Sequence, residues 1–137
     1  MQLTPYISFN GECADAFRFY EQAIGAKSLM MMTHGETPAA EHVPANWHGK
    51  IMHAHLVLSD GQDLMGSDSP PEHQEKLGGF SLSLHPQGEA EANRLFDALV
   101  AGGSVTMPLQ QTFWAHRFGM LVDKFGVRWM INCEKAG

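Results

Sequence analysis

Cysteine is scarce in this chain: Cys13 and Cys133 are the only two in 137 residues. They lie far apart and match no zinc or redox spacing, which argues against a disulfide scaffold and for a reducing compartment. No apolar run approaches the ~18–20 residues that span a bilayer, so no membrane partner is expected. The first residues, Met1-Gln2-Leu3-Thr4-Pro5, lack a basic segment followed by an apolar stretch. No secretory leader is read there, and a cytoplasmic location is expected. Positive charge is short as well: 9 Lys and Arg face 15 Asp and Glu, for a net charge of −6 with His neutral. With no basic cluster, the surface repels phosphate backbones, and nucleic acid is not an expected partner. The acidic balance would suit a cationic ligand, but mostly it keeps a protein soluble. Also missing are a G-x-S-x-G elbow, a phosphate loop and an H-E-x-x-H helix. Gly11 and Gly25 form no dinucleotide fingerprint.

What is present reads as one globular domain over residues 1–137. The apolar share is 44% and the charged share 18%, a balance that supports a core without staples. Residues 3–9 read as a strand broken by Asn10-Gly11. Residues 12–24 carry Ala16, Phe17, Tyr20, Ala23 and Ile24 near a helical period. Gly25 is a natural stop for that helix, because glycine takes the left-handed conformation cheaply. Strands are expected at 26–34, 50–58 and 62–67, with Ser59-Asp60-Gly61 as a turn. Residues 35–49 read as a polar loop holding Pro38, Pro44 and Trp47. The role of this insertion is left open by the sequence; beside a cleft, a loop rich in His, Glu and Pro could be a lid.

The second half repeats the order. Residues 79–85 read as a strand. Residues 89–101 read as a helix with Ala92, Leu95, Phe96, Leu99 and Val100 on one stripe, ended by Gly102-Gly103. Strands follow at 104–112, 117–123 and 127–133, with Asp123-Lys124-Phe125-Gly126 as a turn. Phe19 stands six positions before Gly25, and Phe96 six before Gly102. Gly61 follows Gly25 by 36 positions and Gly126 follows Gly102 by 24; the excess of 12 matches the 35–49 loop. The fold class is therefore α+β, with a duplicated βαβββ unit over about 1–70 and about 78–135. Chance spacing of common residues is the competing explanation.

Specific segments then carry a resemblance. Pro5-Tyr6-Ile7-Ser8-Phe9, Cys13-Ala14-Asp15-Ala16 and Leu64-Met65-Gly66-Ser67-Asp68 are similar to the PhnB/YjdN-like family. So are Thr112-Phe113-Trp114-Ala115-His116-Arg117-Phe118-Gly119 and Asp123-Lys124-Phe125-Gly126-Val127-Arg128-Trp129. That family belongs to the vicinal oxygen chelate, or glyoxalase/bleomycin resistance/dioxygenase, superfamily. The resemblance implies tandem βαβββ modules forming a curved mixed sheet around a cleft, and a homodimer. Some relatives carry a 3-demethylubiquinone methyltransferase label. No glycine-rich strand-turn-helix segment for the methyl donor is found here, and the implied fold is wrong for the common form of that site.

In metal-dependent relatives, His or Gln and Glu from the first and last strand of each module hold one divalent ion. Carried across by resemblance, those positions fall on Pro5, on Met65, near Phe80 or Ser81, and on Met130. Thioethers hold Mg, Mn, Zn or Ni poorly, so no cofactor is expected and the methionines read as cleft or core packing. His53 and His55 alternate in a strand and share a face. They could bind zinc if a third ligand converged; His116, Asp60 and Glu36 are candidates that no spacing selects. Hydrogen-bonded surface histidines are the simpler reading. Histidines 34, 42, 48, 73 and 85 read as solvated. Trp114, His116 and Arg117 bring an aromatic, an imidazole and a guanidinium together, suited to a planar or anionic ligand. The plainer alternative is a strand joint of packed aromatics. Tyr6 and Trp129 are further cleft candidates.

The cleft candidates are thus His53, His55, Met65, Trp114, His116, Arg117 and Met130. The leading expectation is a protein binding an unidentified small molecule without metal. The alternatives are a lyase, isomerase or dioxygenase with a displaced divalent metal, and a non-catalytic dimeric interaction module.

Overall fold

Alternation shapes the first strand: Ile7 and Phe9 are buried while Tyr6 is exposed along β1 (Tyr6–Phe9). In the computed structural model, which describes residues 1–134, the chain divides into two compact units, Met1–Lys76 and the segment from Leu77 onward. Residue 135, the end of the expected second module, lies outside the described residues.

The first unit continues with α1 (Cys13–Ile24), β2 (Ser28–Thr33), β3 (Ile51–Val57) and β4 (Asp63–Asp68), in the sheet order β1-β4-β3-β2. β1 runs parallel to β4, and the other neighbours are antiparallel. The expected stripe does the packing: Ala16, Phe17, Tyr20 and Ala23 are buried, joined by Cys13. They meet Ile7, Phe9, Ala54, Leu56 and Leu64 in the core. Burying a side chain of Phe or Leu size stabilises by roughly 1.5–3 kcal/mol. α1 ends at Gly25, where φ is 91° and the N–H reaches the Glu21 carbonyl at 3.0 Å. Gly66 lets the helix sit on the sheet: a Cβ there would lie 2.8 Å from both the Phe17 ring and the Ile7 carbonyl oxygen.

The second unit repeats that plan with β5 (Leu82–Leu84), α2 (Glu89–Val100), β6 (Ser104–Gln110), β7 (Ala115–Val122) and β8 (Arg128–Glu134). Its sheet order is β5-β8-β7-β6, with β5 parallel to β8. The order, the parallel closure and the helix position all match the first unit, so the βαβββ duplication is real. The turns match too: Gly61 N–H bonds Leu58 O and Gly126 N–H bonds Asp123 O, each at 3.0 Å, with φ near 90° at both glycines. The fold is α+β, hydrogen-bonded as two four-stranded mixed sheets.

Several expected boundaries move. The first strand starts at Tyr6, not residue 3, because its partner strand begins pairing at Met65; Leu3 is 97% exposed. The strand expected at 79–85 shrinks to Leu82–Leu84, since parallel pairing to β8 covers only three residues. β7 begins at Ala115, two residues earlier than expected. The 35–49 loop contains short 3-10 turns and is anchored at its base. His34 N–H bonds Lys50 O and Gly35 N–H bonds His48 O, each at 2.9 Å. Trp47 is buried, and Lys50 Nζ donates to Gly11 O at 3.0 Å.

Candidate functional site

One face of each sheet packs on its helix, and the other is open. In the first unit the register puts Tyr6, Met65, His55 and Met30 in one row across β1, β4, β3 and β2. His53 and Met32 form the adjoining pair. Directly opposed residues share a face, so these side chains lie together on the open side. The alternation expected for His53 and His55 holds: their ring centroids are 6.4 Å apart. Tyr6 stacks on His53 at 5.8 Å, and its hydroxyl lies 3.3 Å from His53 Nδ1.

His55 Nε2 meets Asp63 Oδ2 at 2.9 Å. Asp63 also accepts from Gln2 Nε2 at 2.7 Å. The His55 hydrogen bond, helped by those from Gln2 and Thr4, holds the Asp63 carboxyl below its ordinary 3.8. Sequence reading missed Asp63. Its partner lies eight residues away and across a strand, where only the turn register brings them together.

Asp60 and Glu36, considered as third ligands, are used locally. Asp60 accepts the Gln62 N–H at 3.0 Å, and Glu36 accepts from Thr33 Oγ1 at 2.8 Å. His116 belongs to the second unit. Two histidines read as solvated are not. His34 is 6% exposed, with Nε2 at 3.0 Å from Asp68 O, and His48 Nε2 lies 3.1 Å from Ala40 O.

In the second unit the equivalent row is Ser83, Met130, Met120 and Met107 across β5, β8, β7 and β6. Met65 and Met130 are therefore structural counterparts, as the repeat implied. Their register partners on the parallel strands are Tyr6 and Ser83, and Met65 N–H donates to Pro5 O at 3.0 Å. Trp129 faces the helix side: it is 2% exposed and donates from Nε1 to Asp123 Oδ2 at 2.8 Å. It does not line an open face.

The Phe113-to-Phe118 stretch is split by the structure. Trp114 packs edge-on against Phe113 at 4.7 Å and Phe118 at 5.3 Å. Arg117 turns toward the start of α2, with Nη2 3.7 Å from Glu89 Oε2. His116 instead lines a cavity of about 590 Å³ with His85, Glu89, Asn132 and Glu134. The Asn132 Oδ1 atom is buried without a hydrogen-bond partner among the described residues. His85, Asn132 and Glu134 were not legible as a set, because β8 and the loop after β5, far apart in sequence, supply them.

The chemistry of these positions does not fit a hard divalent ion. Met65 with Tyr6, and Met130 with Ser83, offer only neutral thioether and hydroxyl donors. Among the described residues no group of three or more His, Cys, Asp or Glu is placed to hold a metal. No helix among them is long and apolar enough to cross a membrane.

The sequence family described as 3-demethylubiquinone-9 3-methyltransferase matches residues 1–132. The chain is 42% identical to protein YjdN of Escherichia coli, over 98% of this chain and 97% of that one. The chain belongs to the PhnB-like family. Its backbone matches the crystal structure of protein PA1353 from Pseudomonas aeruginosa with a TM-score of 0.89 and 48% identity, covering 99% of each chain. A Bacillus cereus PhnB protein described as a putative 3-demethylubiquinone-9 3-methyltransferase matches at TM-score 0.79 and 25% identity, over 97% of this chain and 99% of that one. A glyoxylase/bleomycin resistance protein/dioxygenase domain from Frankia shares the fold, with TM-score 0.65 at 16% identity and coverage of 100% and 93%.

Proposed function

We propose that this PhnB-like protein binds a small, largely apolar or planar molecule on its open sheet faces and does so as a cytoplasmic homodimer. One observation carries the reading: Met65 and Met130 stand at matching places in the two halves, each inside a row richer in thioether than in charge. Methionine is unbranched and polarisable, and it adapts its shape to apolar and aromatic ligands. Tyr6, stacked on His53, adds a flat surface beside the first row.

The methyltransferase description of the family does not supply the activity. The β1-to-α1 turn, where a methyl-donor site would need free amides, is already occupied from within. Gly11 N–H and Cys13 N–H both donate to Asp68 Oδ1 at 2.9 Å. Methyl-donor cofactor is therefore expected not to bind.

The test is a ligand screen by thermal shift, followed by NMR of protein carrying 13C-methyl methionine. A genuine ligand should move the Met65 or Met130 methyl resonance. A broad panel without a hit, or hits that perturb only other regions, would remove the reading. Elemental analysis after dialysis against nickel, zinc, manganese and iron probes the enzyme alternative. One metal per chain, lost in His53→Ala or His55→Ala, would replace the present reading with it.

A further inference from the structure

The features that disqualify a hard ion suit a soft one. On the first sheet, His55 is flanked directly by Met30 on β2 and by Met65 on β4. Opposed side chains of antiparallel strands have Cβ atoms about 4.5–5.5 Å apart, and three rotatable bonds let a thioether sulfur lean toward the ring between them. The imidazole is also oriented. Asp63 can only accept, so its 2.9 Å bond fixes the His55 proton on Nε2 and, in the neutral ring, leaves a lone pair on Nδ1. A carboxylate behind an imidazole is the outer-shell arrangement that aims a metal-bound histidine and raises its basicity. The row is accessible: Met30 is 44% exposed and the His55 side chain 28%.

Thioether and imidazole together favour Cu(I) over Mg, Mn or Ca. We propose that Met30, His55 and Met65 form a site for a soft monovalent cation, Cu(I) or its redox-inert analogue Ag(I). Asp63 is the positioning residue. The matching row of the second sheet, Met107, Met120 and Met130, has thioethers but no imidazole backed by a carboxylate, and it lies outside the proposal. The site shares Met65 with the small-molecule reading but not its test: the ligand screen is run without copper and the Cu(I) competition without ligand, so failure of either leaves the other in place.

The experiment uses the full chain with Cu(I) under anaerobic conditions, in competition with a chromophoric Cu(I) chelator. One Cu(I) per chain is expected. The Met30→Leu/Met65→Leu double variant should lose it while keeping its fold, since leucine conserves volume. Asp63→Asn should weaken binding by roughly 10–100-fold, the usual effect of removing an outer-shell partner. Titrating Ag(I) into 13C-methyl-methionine protein should move the Met30 and Met65 resonances together, saturating at one equivalent. No retained Cu(I), copper held undiminished by the double variant, or Ag(I) shifts confined to other methionines would each overturn the proposal.

Discussion

The carboxylate of Asp68 accepts the backbone N–H of Cys13 at 2.9 Å from a side chain that is 2% exposed. The same carboxylate takes Gly11 N–H on Oδ1 and Ile51 N–H on Oδ2, both at 2.9 Å. One residue thus ties the end of β4 to the start of α1 and to β3. Asp68→Ala leaves three amides without this partner and should cost roughly 3–5 kcal/mol, read by chemical denaturation. Asp68→Asn should not restore the loss. Its amide keeps one acceptor oxygen and presents donors to one of the two N–H clusters.

Asp63 predicts an acid-side effect. Its folded pKa lies below the ordinary 3.8 because of the His55 hydrogen bond first, with Gln2 and Thr4 adding to it. A depressed carboxylate contributes stability that is present above the unfolded value and lost as pH falls through the folded one. The loss therefore falls below about pH 3.8. Carboxyl 13C NMR should show an Asp63 midpoint below that value, and His55→Ala should raise it. An unchanged midpoint would contradict the pairing.

Both cysteines are free and buried. Burial, with the Asp68 carboxylate nearby, pushes the Cys13 thiol far above its ordinary 9.0. Since thiolate is the nucleophile, native protein at pH 8 should react negligibly with a disulfide reagent, and both thiols should appear on denaturation. Rapid labelling of Cys13 in native protein would refute this.

The proposed homodimer would cover apolar surface that the single chain leaves open: Phe113 is 88% exposed and Trp114 44%. Light scattering should give twice 15.1 kDa at micromolar concentration. A mass near 15.1 kDa would count against it.

Sequence spacing revealed the duplication because it is written in local signals. Gly25, Gly61, Gly102 and Gly126 all take positive φ where helices and turns end. The buried stripes of Phe17 and Tyr20 and of Leu95, Phe96 and Leu99 were legible as helical period. What sequence left hidden depends on cross-strand register. Asp63 beside His55, the Met30-His55-Met65 row and His34 against Asp68 O all join residues that no local pattern links. Arg117 was grouped with Trp114 and His116 by adjacency, but the register of β7 shifts between Ala115 and Arg117, and Arg117 is drawn to Glu89 at the start of α2 while Trp114 packs on Phe113 and Phe118.

The parallel closure of each sheet also orders its assembly. Tyr6 must find Met65, and Leu82 must find Trp129, after everything between them has been laid down. The cost of closing a loop grows with its length, so the antiparallel meanders β2-β3-β4 and β6-β7-β8 are expected to assemble first, with β1 and β5 docking last. Truncating Ile7, buried at 1% exposure, should then speed unfolding while leaving the folding rate nearly unchanged. On that expectation each half is a clasp: the strand that arrives late holds it shut and should be the first to let go.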